Sequence, residues 1–254
     1  SKALGRQNLA TFLEESEQAV QRGVIRPNVV VRINCPNTSA FGKDDLKILK
    51  GLRNVDAVLL PKADSATCIQ EVAAQLQKPI WCMIETPRGV QRADALAALP
   101  EVDCLVFGSN DLTKELQATL VPVQRTPLLY AMSRVVLAAR AEGKLVVDGV
   151  FMDLSVSSDA QLRLECLQGQ RLGFDGKSLI HPQQLAVTNS VFSPTEAEVT
   201  HAHRVAAAHA AAERDGKGVC LLDGKLIEKL HVDAASALLA KHSAIGQRNS
   251  GQTQ

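Results

Sequence analysis

The sequence predicts an α/β fold: six βα units carrying a parallel sheet, followed by a helical C-terminal extension. Three observations predict it. Short β-branched runs alternate with helical patterns along the first 180 residues. The strand candidates are continuous apolar runs, the mark of strands buried on both faces. After Ile180 the alternation stops and helix signals dominate. Regular alternation of this kind argues for βαβ units and a parallel sheet.

The strand candidates, in order, are NVVVRIN (28–34), DAVLLP (56–61), PIWCMIE (79–85), CLVFG (104–108), KLVVDGV (144–150) and GKSLI (176–180). Helical stretches fall at about 6–23, 41–53, 64–77, 90–98, 125–142 and 157–172. HPQQLAVTNSVF reads as a further helix. FSPTEAEV signals a helix start, with Ser193 as cap and Pro194 in the first turn. Asp223-Gly224 is a hairpin dipeptide between two short strands. A last helix is expected over about 232–243. The expected organisation is residues 1–192 as the sheet-bearing domain, 193–245 as the extension and 246–254 as a disordered polar tail.

Composition narrows the function. The 254 residues carry a net charge of +1, and only 3% are aromatic. A nucleic-acid surface is not indicated, since both a basic footprint and stacking platforms are lacking. The apolar runs are too short to span a bilayer. The start, SKALGRQNLATFLEE, has no apolar signal-peptide core. The six scattered cysteines form no CxxC pair and read as reduced core thiols of a cytoplasmic protein.

In parallel barrels the C-terminal ends of the strands form the functional face. Here each strand ends on polar residues: Arg32 and Asn34, Lys62, Glu85, then Gly108, Ser109, Asn110 and Asp111, then Asp148 with Asp153 beyond it, then His181. Two carboxylates from adjacent strand ends, Glu85 and Asp111, suit a hard oxygen-seeking cation such as Mg²⁺. The alternative makes Asp111 the cap of a helix over 111–117 and Glu85 the partner of Arg88. Arg32, at the end of an apolar strand, would grip a carboxylate or polarise a carbonyl, or else pair with a neighbouring acid. Lys62 is a Schiff-base candidate or a salt-bridged rim lysine. Lys177, between two glycines and His181, would meet a phosphate, while His181 itself reads as structural.

The ordered set VRIN, LLPKAD, IETPRGV, FGSNDL, VVDGVFMDL and GFDGKSLIHPQQ resembles the citrate lyase β-subunit-like (CitE-like) branch of the HpcH/HpaI aldolase superfamily, over about residues 1–243. That branch includes malyl-CoA and citramalyl-CoA lyases and malyl-CoA thioesterases. The resemblance implies a TIM-type (β/α)8 barrel of which six of eight βα units are evident in this chain; counterparts of the opening VPG-like and DLED-like strands are not present in it. It implies Glu85 and Asp111 as Mg²⁺ ligands and Arg32 facing the acyl carbonyl. Gly108, Ser109 and Asn110 would hold the small acid's carboxylate, and Lys177 would lie in the CoA-binding segment. The implied assembly is a homotrimer or a pair of trimers, in which Glu228 acts on a neighbour's site.

The expected activity is Mg²⁺-dependent cleavage of a β-hydroxyacyl-CoA to an acyl-CoA and a 2-oxo acid. Thioester hydrolysis and a non-catalytic subunit are the alternatives; a pyruvate-type aldolase lacks its His–Arg dyad here. Two departures from the family stand out. Glu228 replaces the usual Asp, a shift of about 1 Å of a size that can cost on the order of 100-fold in rate. Asn110 stands where many relatives carry Glu.

Overall fold

The computed structural model describes residues 2–37, 39–119, 124–155 and 158–250. The chain divides into two compact units, residues 1–22 with 26–192, and residues 23–25 with 193–254.

The first unit opens on α1 (Lys2–Gln21). It then runs β1 (Val30–Arg32), α2 (Gly42–Leu49), β2 (Ala57–Leu60), α3 (Ala66–Leu76), β3 (Ile80–Ile84), α4 (Pro87–Gln91), α5 (Ala93–Ala97) and β4 (Val102–Phe107). It continues with α6 (Ser109–Glu115), a 3₁₀ turn at Thr126–Leu128, α7 (Leu129–Ala141), β5 (Leu145–Asp148), α8 (Asp159–Leu172), β6 (Gly176–Lys177) and α9 (Gln184–Phe192). The six strands form one sheet in the order β1-β2-β3-β4-β5-β6, every neighbour parallel. This is the α/β architecture expected, strand for strand.

The core explains the apolar runs. Val58, Leu60, Ile80, Cys82, Ile84, Leu105 and Phe107 are each at most 1% exposed. The register sets Ile84 beside Phe107, so β3 and β4 end level, one residue before Glu85 and Gly108. Local signals fix the helix starts. Ser65 accepts the Cys68 N–H at the head of α3, and Thr86 accepts the Gly89 N–H at the head of α4. The single helix expected over 90–98 is two short ones, 87–91 and 93–97, because Thr86-Pro87 starts a helix earlier than the apolar pattern does.

The second unit holds α10 (Glu196–Arg214), β7 (Cys220–Leu222), β8 (Lys225–Ile227) and α11 (Lys229–Ser250). Thr195, not Ser193, caps α10: its hydroxyl accepts the Glu198 N–H while Glu198 accepts the Thr195 N–H at 2.8 Å, a capping box. Asp223 and Gly224 both take positive φ, 52° and 75°, the primed turn that joins β7 to β8. Ala202, Val205, Ile227 and Ala235 form this unit's small core. α11 runs through Ser250, so residues 246–250, expected as disordered tail, are helical; 251–254 lie outside the described residues. No helix among the described residues is long and apolar enough to cross a membrane.

Candidate active site

Glu85 follows β3 directly and is 6% exposed. Its Oε1 accepts the Lys62 backbone N–H at 2.9 Å. Lys62 sits in the left-handed region at φ 49°, which non-glycine residues seldom adopt and which turns that amide at the carboxylate. The Lys62 side chain points elsewhere, 3.6 Å from Glu115, as a rim ion pair. Among the described residues Glu85 makes no ion pair with Arg88, so the bland account of its charge falls away.

Gly108 lies against Glu85 so closely that an added Cβ would fall 2.3 Å from the Glu85 Cβ and 2.9 Å from Oε2. Only glycine lets β4 end there. Asp111 follows in the first turn of α6, whose cap position is Gly108 itself, without a side-chain bond; Asp111 is therefore not the cap. Burial pushes the Glu85 carboxyl above the ordinary carboxylate range. The Lys62 amide pulls it back, the Asp111 charge pushes it further up, and the charges of Lys62 and Arg32 pull down. The two acids thus feel each other's charge.

Arg32, Glu85, Gly108, Ser109, Asn110 and Asp111 line one cavity of about 170 Å³. Met83, Phe107, Val150 and Ser178 complete its wall. Arg32 is exposed and, among the described residues, makes no ion pair. Ser109 is 4% exposed, while Asn110 is open to solvent. Asn34, the other polar residue at the end of β1, faces Asp45: its N–H and side-chain amide donate at 2.8 and 2.6 Å. Burial works against the Asp45 charge, but the Asn34 bonds and Arg6 outweigh it and hold its carboxyl below the usual range.

Lys177 is a correction. It is not at the rim to meet a phosphate. Its side chain is 0% exposed and its ammonium sits 3.1 Å from Asp148 Oδ2 and 2.6 Å from Glu165 Oε1. Arg125, also buried, donates to both Asp148 oxygens at 2.7 and 2.9 Å and to the Glu165 carbonyl at 3.2 Å. A buried ammonium must find acids, and these two cations and two anions satisfy one another. Asp148, placed at the rim from the sequence, is likewise fully buried. Gly169 of α8 makes room for it, since a Cβ there would meet Asp148 Oδ2 at 2.8 Å.

The network still shapes the cavity. The Asp148 carboxylate accepts the Gly149 N–H at 2.7 Å, and its carbonyl accepts the Ser178 N–H at 2.9 Å. It thereby sets Val150 and Ser178 in the wall. Asp153 is exposed and accepts the Ser155 N–H in a local turn; that bond lowers its carboxyl. His181 accepts the Gln183 N–H in another turn. Glu228 belongs to the second unit, half-buried at the head of α11, its N–H donating to His231 Nδ1 at 3.1 Å.

Whether this cavity suits Mg²⁺ rests on its donors. Two carboxylates share it, and the Lys62 bond takes only one Glu85 oxygen. No group of three His, Cys, Asp or Glu able to hold a metal occurs among the described residues. One or two carboxylates with water and substrate is how Mg²⁺ is commonly held, so the residues fit that ion.

The HpcH/HpaI aldolase/citrate lyase family model matches residues 1–182, from α1 to beyond β6. The chain belongs to that family. A (3S)-malyl-CoA thioesterase of Cereibacter sphaeroides is 43% identical over 217 residues, covering 85% of this chain and 74% of the relative. The citrate lyase subunit beta of Escherichia coli is 32% identical over 233 residues, covering 86% and 75%. Among solved structures, CitE from Mycobacterium tuberculosis in complex with magnesium, acetoacetate and coenzyme A is similar with a TM-score of 0.70 at 28% identity, covering 84% of this chain and 78% of that one. The family member described here thus has the CitE-like barrel fold, with six βα units in this chain, and the relatives it matches are named as a malyl-CoA thioesterase and a citrate lyase subunit.

Proposed function

We propose that this protein binds Mg²⁺ through Glu85 and Asp111 and cleaves a β-hydroxyacyl-CoA of malyl or citramalyl type to a short acyl-CoA and a 2-oxo acid. One observation carries the reading: the two acids, Arg32 and the Gly108–Asn110 turn line a single cavity at the strand ends. Magnesium, when bound, supplies Lewis-acid polarisation of the substrate's oxygens.

The chain's own residues do the rest. The opening N–H groups of α6, which have no intrahelical acceptor, hold the substrate's free carboxylate. The bond between the α and β carbons breaks and its electron pair moves to the thioester side as an enolate. The planar Arg32 guanidinium faces that developing charge and stabilises it. The β-hydroxyl passes its proton to water as its C–O bond becomes the carbonyl of the oxo acid. Glu228 of the partner subunit protonates the enolate carbon.

A homotrimer or pair of trimers in the cytoplasm is the setting we propose. Leu221 and Leu226, paired across β7 and β8, are 71% and 50% exposed, and Leu230 beside Glu228 is 62% exposed. Exposed apolar side chains on this hairpin and the start of α11 are suited to lying against a neighbour.

A second reading has its own support. The malyl-CoA thioesterase relative and the longer Glu228 both favour hydrolysis, in which water attacks the thioester carbonyl and CoA thiolate leaves, with Arg32 facing the oxyanion. Incubation with malyl-CoA and citramalyl-CoA, with and without Mg²⁺, separates the two by mass spectrometry. An acyl-CoA plus a 2-oxo acid means the lyase; free CoA plus a hydroxy acid means the thioesterase. No turnover of either ester with Mg²⁺ present would leave the non-catalytic subunit. Glu85→Gln is expected to abolish whichever activity is found.

A further inference from the structure

Asp148 ends β5 and ties together three parts of the chain. Its carboxylate takes Arg125, from the segment between α6 and α7, and Lys177, the last residue of β6. A third donor is its neighbour: the Gly149 N–H reaches Oδ1 at 2.7 Å. The two cations need an anion there in order to be buried. The Gly149 bond needs no charge, because an amide oxygen would accept it as well. It is therefore separable from the electrostatics of the quartet.

Gly149 presses against the residue that opens α6. An added Cβ would stand 2.7 Å from Ser109 Oγ, 3.2 Å from Ser109 Cβ and 2.9 Å from the Phe107 carbonyl oxygen. Ser109 is 4% exposed and lines the cavity at Glu85. The paired register of β4 and β5 ends at Val106 and Val147. Beyond it, Gly149 keeps its place against Ser109 through the Asp148 side chain. The Asp148 carbonyl meanwhile accepts the N–H of Ser178, in the opposite part of the wall. One buried acid thus stands behind two stretches of the cavity lining.

We infer that Asp148 is a positioning residue for this cavity: its Oδ1, as an acceptor and not as a charge, fixes Gly149 against Ser109 and so sets the Gly108–Asn110 turn. That this turn receives a small acid rests on the proposed function; that Asp148 positions it does not. Asp148 itself touches no substrate, being fully buried. The role is one of placement, and it differs from what Arg125 and Lys177 do, which is to balance charge.

Two double variants of the full chain separate acceptor from charge. Asp148→Asn/Lys177→Met and Asp148→Ala/Lys177→Met each remove one anion and one cation and leave Arg125 with Glu165, 3.4 Å away. Only the first keeps an oxygen for Gly149. Amide hydrogen exchange over residues 107–113 reads the turn, since the Gly108 N–H bonds Ile84 and the Leu112 N–H bonds Gly108 there. The Ala pair is expected to exchange about tenfold faster than the Asn pair, the scale of one lost hydrogen bond. Calorimetry with pyruvate in the presence of Mg²⁺ reads the use of the turn. The Asn pair is expected to bind pyruvate like the wild type and the Ala pair about tenfold more weakly. Equal exchange in the two pairs overturns the positioning role, and so does faster exchange with undiminished pyruvate binding. Should the Ala pair not fold, Gly149→Ala repeats the test with the quartet whole: its methyl group is expected to displace Ser109, and wild-type exchange and binding in that variant would overturn the role. Wild-type protein that binds no pyruvate sinks the proposed function instead, and the exchange contrast then decides the positioning alone.

Discussion

Gly108 abuts Glu85: the end of β4 passes so close to the end of β3 that no side chain fits between them, and an added Cβ would stand 2.3 Å from the Glu85 Cβ. Gly108→Ala is therefore expected to push the carboxylate from its place. Overpacking of this kind costs about 1–3 kcal/mol, read as a lower midpoint of urea unfolding. Mg²⁺ affinity should fall at least as sharply, read by calorimetry. An alanine variant with wild-type Mg²⁺ binding would detach the glycine from the site.

Arg32→Lys keeps the charge and loses the planar fork. If Arg32 faces charge that develops only in the transition state, kcat falls by about 10²–10³ while KM changes little. Steady-state kinetics decides; a change confined to KM would make Arg32 a substrate anchor.

Lys177→Met removes one of two cations balancing Asp148 and Glu165 in the interior. Breaking a buried pair from one side costs about 3–5 kcal/mol. Thermal unfolding should show the loss. CoA affinity per folded molecule should hold, since the lysine faces inward.

Glu228 acting across subunits predicts complementation. Glu228→Gln and Asp111→Asn proteins should each be inactive. Mixed under conditions where subunits exchange, they should recover about a quarter of wild-type activity, the share of sites with both acids under random assortment. Exchange demonstrated without recovery would end the trans role.

The buried thiols predict alkaline instability. Burial pushes Cys82 and Cys104 up to about 12 and Cys68 to about 11. An unfolded thiol titrates near ~8.5. Below that pH both states hold the proton and the thiols contribute no pH dependence. From there up to pH 11 or 12 the unfolded chain alone loses it, so stability falls by about 1.4 kcal/mol per pH unit for each thiol. Urea midpoints at stepped pH should decline along this range, and Cys82→Ala with Cys104→Ala should flatten the decline.

The strands were legible because burial on both faces writes an uninterrupted apolar run, and the acids at their ends because nothing apolar explains them. The same two-sided burial hid Lys177. With both faces buried, alternation does not tell inward from outward, and a lysine beside two glycines reads as a loop cation. Its partners were present in the text. Glu165 shares the buried face of α8 with Leu162, Cys166 and Gly169, spaced three and four apart, which is a place for an acid only if a cation waits opposite. Arg125 lay beyond such reasoning, since it precedes α7 in irregular backbone at φ 43°. Glu228 could be assigned to its extension, but the site we propose for it belongs to another copy of the chain, which no periodicity encodes.

The interior quartet also bears on how this sequence can change over time. Arg125, Lys177, Asp148 and Glu165 cancel one another's charge out of reach of water. Neutralising any one of them leaves a partner stranded, so single replacements are selected against while paired ones, a cation and an anion lost together, are tolerated. These four positions, spread over 53 residues, on three separate elements and the irregular segment before α7, should therefore vary as a block among relatives. Lineages that abandoned the quartet should show an apolar cluster in its place rather than a partial set.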